Sequence, residues 1–440
     1  MVDASDAALL TDLYELTMAA SYHSLGRNNL ATFDLFVRSL PEQRRFLITA
    51  GLEQALDYLE GLRFDAGAIA YLASLGRFKD DFLERLAALR FTGEVWAVPE
   101  GEVVFASEPL LRVTAPMIEA QIVETFLLNC VTFQTMVASK AARVRIACRG
   151  RTFVDFSLRR DHGADAGLKA ARAAYIAGAA ATSNVLAGRL YGIPVSGTMA
   201  HSYVMSFEDE ADAFRAFARD FPHDTVLLID TYDVEEGARR AARVAHELAP
   251  EGVRISGVRI DSGDLGDSAR AVRKILDDAG LEHVRVIASG DLDEYRIDEL
   301  LRDGAPIDAF GVGTQMGTSA DAPSLGGVYK LVQDAAGPKV KLSTGKVTLP
   351  GRKQVWRCEG YDVIALEHER VEGGRPLLVK VMEDGRRTVA PEPLEVIRAR
   401  CRDALEVLPA ELRALEPGPA GEVRLSAGLA ELVARLRHRR

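Results

Sequence analysis

From Arg151 onward, short apolar runs alternate with polar, glycine-rich breaks. The runs are Phe153-Val154-Asp155-Phe156, Ile193-Pro194-Val195, Val226 to Ile229, Ile255 to Ile260, Val284 to Ala288 and Ile307 to Phe310. Most lead into helical spacing, as in Ala166 to Ala177, Val234 to Leu248, Ser268 to Ala279 and Asp293 to Asp303. Strand-turn-helix units at this interval build parallel sheets and β/α barrels. No internal repeat of fixed period accompanies them, so the repetition is structural.

Both flanks read differently. Leu9, Leu10, Leu13, Tyr14 and Leu16 share helical spacing over Ala7 to Leu25, and Gly26 ends that helix. Ala31 to Arg38 reads as a strand, and residues 42 to 145 mix helices with short β segments such as Gly93 to Val98 and Leu110 to Val113. After Leu331 the rhythm stops. Val355 to Glu395 predicts hairpins, with Glu372-Gly373-Gly374 and Glu383-Asp384-Gly385 as their turns, and two helices close the chain. The second ends in a basic cluster, which reads as a solvated helix end. A chain of 440 residues exceeds what one core supports, so two domains are expected.

A net charge of -10 argues against nucleic-acid or acidic-membrane binding, leaving a small-molecule partner and room for a local basic pocket. Met1 to Leu16 carries four acids and no base, unlike a signal peptide. The most apolar stretch, Ala115 to Val137, is broken by Glu119, Gln121 and Glu124, so no membrane span is expected. Cys130, Cys148, Cys358 and Cys401 lie too far apart for a zinc or disulfide framework, and fit a reducing cytoplasm.

Chemistry gathers at the strand exits, where β/α barrels place their active sites. These exits read Ser157-Leu158-Arg159-Arg160, Ser196 to His201, Asp230-Thr231-Tyr232-Asp233, Arg259 to Asp264, Ser289-Gly290-Asp291 and Gly311-Val312-Gly313-Thr314. Ser289-Gly290 and Gly311 to Thr314 lack bulk, so backbone N–H groups can approach a phosphate; either alone could equally be a tight turn. Arg159 and Arg160 are adjacent and point apart, and the sequence does not choose between them for a carboxylate or phosphate. Arg259 suits the same anions, or an ion pair with a neighbouring Asp. Asp230, Asp261 and Asp264 offer oxygen ligands for Mg²⁺ or acceptors for ribose hydroxyls. A lone histidine is usually a surface or satisfied core residue. His201 draws its interest from following Gly197-Thr198 at a strand exit, where it could serve as acid, base or phosphoryl acceptor.

These motifs, in this order, resemble nicotinate phosphoribosyltransferases. The resemblance rests on Leu10-Thr11-Asp12-Leu13-Tyr14, Ser183-Asn184-Val185-Leu186-Ala187-Gly188, Gly197-Thr198-Met199-Ala200-His201-Ser202, Arg259 to Leu265, and Pro323 to Lys330. It covers residues 8 to 357. It implies an α/β fold, an irregular β/α barrel packed with an open-faced α/β domain built from both chain ends. The expected parts are an N-terminal α/β domain (1–145), a barrel catalytic domain (146–350), and a C-terminal segment (351–440) returning to the first. It also implies a cytoplasmic homodimer with shared sites, joining nicotinate to 5-phosphoribosyl 1-pyrophosphate with Mg²⁺ and coupled ATP hydrolysis.

By the same resemblance His201 is the phosphohistidine, with Arg259 and Asp261 as its catalytic companions. Tyr14 borders the pyridine from the neighbouring subunit, with Thr198, Arg259 and Arg160 on nicotinate's side. Ser289, Gly290, Gly311, Gly313 and Thr314 hold the 5′-phosphate, and Asp230 and Asp264 are the candidate metal ligands. Asp161-His162-Gly163 departs from the family pattern, which leaves the arginine assignment loose. Asn184 favours the acid over nicotinamide, because an Asp there would repel a carboxylate. Quinolinate's second carboxylate calls for more basic residues than these loops supply. The alternatives are a nicotinamide enzyme and a non-catalytic phosphosugar-binding barrel.

Overall fold

The computed structural model describes residues 6–341 and 348–438. It divides into two compact units, Met1–Ser139 with Ala322–Arg440, and Lys140–Asp321.

The first unit is built on a seven-stranded sheet whose neighbours all pair antiparallel. Its third strand, Leu30–Val37, is buried at every residue but the first. That strand pairs on one side with Pro109–Pro116 and on the other with Gly327–Asp334. Asp34 lies on this buried strand because Lys353 meets it at 2.7 Å. An unpaired carboxylate there would be expensive. The hairpin expected at Glu383-Asp384-Gly385 forms between Val379–Glu383 and Arg386–Arg387, with Asp384 and Gly385 both at positive φ. Two residues at positive φ give the turn the twist of its flanking strands.

The second unit holds six parallel strands: β1 (Thr152–Asp155), β2 (Ala181–Thr182), β3 (Thr225–Leu228), β4 (Ile255–Ile260), β5 (Arg285–Ala288) and β6 (Ala309–Val312). They lie in the order β2-β1-β6-β5-β4-β3 and form half a barrel. The architecture is therefore mixed α/β, a barrel-type parallel sheet and a separate α/β unit drawn from both chain ends. One expected strand is absent: Ile193-Pro194-Val195 makes a single bridge, from Val195 to Thr182. Pro194 has no N–H to offer a ladder, and only its carbonyl serves, accepting from Thr182 at 3.0 Å.

Four of the helices after these strands start at side-chain caps, while those after β1 and β6 start at Gly163 and Gly313 without one. Asn184, Asp233, Asp264 and Asp293 each accept a backbone N–H of the first turn. Four of the polar residues crowding the strand exits are thus employed in starting helices. No helix among the described residues is long and apolar enough to cross a membrane.

Candidate active site

Within the second unit the strands enclose a lumen of about 410 Å³, lined by Val154, Phe156, Ala181, Thr198, Arg259, Ile287, Ala309 and Gly311 among others. Alternation along β1 explains the lining. Phe153 and Asp155 are buried on the outer side, so Val154 and Phe156 point inward. Gly311 belongs to β6 itself, and a Cβ there would lie 2.5 Å from the Phe156 ring. Phe156 was not among the sequence candidates. Its signal was an aromatic residue at the inward step of a barrel strand, directly before the arginine exit.

Arg259 sits at the end of β4 in this lumen. Its Nη2 donates to the Met199 carbonyl at 2.9 Å, and the guanidinium carbon lies 5.9 Å from the centre of the Phe156 ring. Its Nε is buried with no partner. Burial pushes the guanidinium down from its ordinary value, against the pull of Asp261 and Asp230, and Arg159 adds to the downward push. Of the adjacent arginines, Arg159 is thus the one whose charge is felt at Arg259, although the resemblance pointed to Arg160. Arg160 is exposed, and its backbone N–H closes a turn onto the Ser157 carbonyl at 2.7 Å.

His201 opens the short helix His201–Met205. Its Nδ1 lies 3.1 Å from Thr231 Oγ1, and its Nε2 lies 3.9 Å from Asp261 Oδ2. The other oxygen of Asp261 accepts the hydroxyl of Ser289, which is buried. The exits of β3, β4 and β5 thus meet the His201 segment in one polar cluster. Gly290 follows at φ 97° and presses against the Asp261 carbonyl, a place that a side chain could not occupy. Thr314 begins the helical turn after β6, and Gly313 lies against the Phe156 carbonyl.

Asp230 accepts from Asp261 N at 2.9 Å and Ser262 Oγ at 2.6 Å through Oδ2, while its Oδ1 is buried without a partner. That orphaned oxygen fits a cation. Asp264 is differently placed, because its Oδ1 caps a helix through Gly266 N and Asp267 N at 3.0 Å each. Those backbone bonds hold its carboxyl below the ordinary range. Among the described residues no group of three or more His, Cys, Asp or Glu side chains is placed to hold a metal. Mg²⁺ commonly takes one or two protein carboxylates, with waters and substrate phosphates completing its shell.

Asn184 is buried at 3% exposure, outside the lumen. Its side-chain oxygen caps the helix Val185–Tyr191 through Ala187 N at 3.1 Å, and its Nδ2 donates to the Gly167 carbonyl at 3.2 Å. Thr182 accepts the Asn184 backbone N–H and donates to Asp155, which also accepts from Ser157 N and Oγ. One buried carboxylate thereby ties the β1 exit to the β2 exit. Asp161 reaches the same Ser157 hydroxyl at 3.0 Å, and burial, helped by Asp155, pushes its carboxyl up to about 6.

Tyr14 belongs to the first unit and is half-exposed, with its hydroxyl bonded to Glu124. Glu124 in turn lies 3.5 Å from Lys330. Burial and Glu124 push the Tyr14 phenol above its ordinary value.

Two family models match this chain: the nicotinate phosphoribosyltransferase N-terminal domain over residues 9–132, and the nicotinate phosphoribosyltransferase family over residues 152–332. The chain is 48% identical over 437 residues to nicotinate phosphoribosyltransferase pncB2 of Mycobacterium tuberculosis, covering 98% of this chain and 94% of that one. It is 44% identical over 386 residues to the nicotinate phosphoribosyltransferase of Bacillus subtilis, covering 84% and 78%. The crystal structure of human nicotinic acid phosphoribosyltransferase superposes with a TM-score of 0.86 at 32% identity, covering 97% of this chain and 99% of that one.

Proposed function

Because this chain belongs to the nicotinate phosphoribosyltransferase family, we propose that it joins nicotinate to 5-phosphoribosyl 1-pyrophosphate, giving nicotinate mononucleotide and pyrophosphate for NAD synthesis, with ATP hydrolysis coupled through a phosphohistidine at His201. The observation that carries the substrate reading is Arg259 beside the Phe156 ring, in a lumen that also holds Arg285 and Asp224 and is otherwise lined by apolar and small residues. A flat ring bearing one carboxylate matches that pairing of an aromatic face with a cation.

In the transfer step the pyridine nitrogen forms a bond to the anomeric carbon as that carbon loses its bond to the pyrophosphate oxygen. No protein nucleophile is required, so the side chains contribute position and charge. Arg259 and Thr198 hold the ring end, with Arg159 or Arg160 beside them. Ser289, Gly290, Gly311, Gly313 and Thr314 receive the 5′-phosphate. Asp230, through its unpartnered oxygen, and Asp261 would hold Mg²⁺; Asp264 is left to its helix. Mg²⁺ when bound lowers the cost of negative charge on the departing pyrophosphate.

For energy coupling, Thr231 leaves Nε2 of His201 as the nitrogen available to attack the γ-phosphorus of ATP, forming an N–P bond as the bond to the bridging oxygen breaks and ADP departs. Water later cleaves that N–P bond. Asn184 acts on substrate choice through the helix it starts, since both ends of its amide are engaged. We further propose a cytoplasmic homodimer in which Tyr14 of one protomer borders the pyridine bound by the other. The exposed apolar residues Leu10, Leu13 and Tyr14, and Val185, Leu186 and Leu190, support a second copy as their cover.

The deciding assay supplies nicotinate, nicotinamide or quinolinate separately with 5-phosphoribosyl 1-pyrophosphate and follows pyrophosphate release. Release with nicotinate is expected. Release with nicotinamide alone overturns the reading, and thermal stabilisation by ligands without any release favours a non-catalytic phosphosugar-binding barrel.

A further inference from the structure

Lys140 and Arg143 stand one turn apart on the helix Glu124–Ala147, with side chains only 1% and 3% exposed. Basic side chains are seldom buried so completely unless paired. Lys140 Nζ lies 2.6 Å from Glu294 Oε2 and 2.9 Å from Asp321 Oδ1. Arg143 Nε donates to Glu294 Oε1 at 2.8 Å, and its Nη2 donates to the Tyr295 hydroxyl at 3.0 Å. The charges alternate in a row: Arg143, Glu294, Lys140, Asp321. The Tyr295 ring lies 5.5 Å from the Arg143 guanidinium and 5.9 Å from the Lys140 ammonium.

The two acids occupy telling places. Glu294 is the first residue of the helix that follows the β5 exit, four residues beyond Gly290. Asp321 comes seven residues after Thr314, at the end of the segment that follows the β6 exit. One helix face therefore fixes the far ends of both glycine-bearing loops. A buried ion network gains little net stability over well-packed apolar residues of the same volume. What it adds is direction, because each donor and acceptor has a preferred line of approach. Methyl groups in the same positions would let the two loops slide past one another.

We propose that Lys140 and Arg143 are positioning residues that hold the Ser289–Gly290 and Gly313–Thr314 exits, through Glu294 and Asp321, at the separation a sugar phosphate requires. This rests on the reading of those two exits as the 5′-phosphate site. Neither basic side chain need touch the substrate; their effect passes through the acids.

The test is calorimetric binding of ribose 5-phosphate and, separately, of nicotinate, to the full-length protein and to Lys140→Met and Asp321→Asn, with melting temperatures alongside. Lys140→Met should weaken ribose 5-phosphate by about tenfold and Asp321→Asn by about threefold, leaving nicotinate within about twofold, as expected for displaced charge-assisted contacts. Asp321, the most exposed of the four, gives the mild variant that decides the matter if Lys140→Met does not fold. Folded variants with unchanged ribose 5-phosphate affinity and only a lower melting temperature overturn the proposal, as does equal loss of both ligands. If the unaltered protein itself fails to bind ribose 5-phosphate, the phosphate reading falls and the positioning role falls with it. If it binds and the variants match it, the positioning role alone falls.

Discussion

His201 and Asp261 face one another, imidazole Nε2 3.9 Å from carboxylate Oδ2, and each has its second atom engaged elsewhere, His201 by Thr231 and Asp261 by Ser289. Charge arriving on the imidazole is therefore felt one bond away from the residue at the β5 exit. A phosphoryl group on Nε2 would repel the Asp261 carboxylate, whose other oxygen holds Ser289. This gives the proposed coupling a physical route from ATP to the phosphate end of the site.

The His201→Asn variant should keep transferring phosphoribosyl groups without ATP, with kcat within about threefold of the unaltered enzyme, because the histidine is outside the bond-forming step. The stimulation by ATP should vanish. Pyrophosphate release measured with and without ATP checks this, and undiminished stimulation would locate the phosphohistidine at another residue.

Gly290→Ala joins two penalties, a positive φ and a Cβ driven into the Asp261 carbonyl. Relief by shifting the loop should raise the KM for 5-phosphoribosyl 1-pyrophosphate by about tenfold or more, equivalent to about 1.4 kcal/mol of lost binding. Gly304→Ala is the control, with φ 70° but open space around its Cβ. Equal KM values for the two variants would show that the collision at Gly290 does not reach the phosphate site.

Asn184→Asp replaces a donor to the Gly167 carbonyl with an oxygen that repels it. The expected loss is about 1–3 kcal/mol of stability, seen as a lower melting temperature at neutral pH. Nicotinamide turnover should not appear. Its appearance in steady-state assays would mean that residue 184 reads the ring substituent directly.

Glu15 supplies a pH dependence. Burial raises its carboxyl to about 7 from an ordinary 4.5, against hydrogen bonds from Thr11 and Thr125 that lower it. The folded protein therefore binds a proton that the unfolded chain has already released between those values. Stability from this group is present at low pH and is lost as pH rises through about 7. Glu15→Gln removes that titration, so its stability relative to the unaltered protein should improve between pH 5 and pH 8, by at most about 3 kcal/mol. Urea unfolding at both pH values measures it, and a pH-independent difference would contradict the assignment.

Much of the second unit was legible because strand-turn-helix rhythm is local. Five of the six expected runs form parallel strands, and the sixth fails at Pro194 for want of an N–H. Its partner in the sheet, Ala181–Thr182, is too short and too small to announce itself. The exits around His201, Arg259, Asp261 and Ser289 were visible as a concentration of unusual residues. Their division of labour was not. Asp264 and Asn184 look like ligands in a sequence and cap helices in the structure, because a cap and a ligand use the same short oxygen-bearing side chains. Phe156 is hidden in the sequence because only the barrel's inside-outside alternation reveals which way it points. The Lys140–Glu294 pair joins residues more than 150 positions apart, beyond any local pattern.

The pairing of Leu30–Val37 with Gly327–Asp334 has a consequence for biosynthesis. Leu35 must wait for Tyr329, nearly 300 residues later on the ribosome. The sheet of the first unit therefore cannot be completed before the whole of Lys140–Asp321 has emerged, whereas that inserted stretch needs nothing translated after it to form its own sheet. Vectorial synthesis thus favours an order of assembly in which the second unit matures first and the sheet of the first unit closes last, leaving the edge of Leu30–Val37 as the exposed strand that a nascent chain must protect.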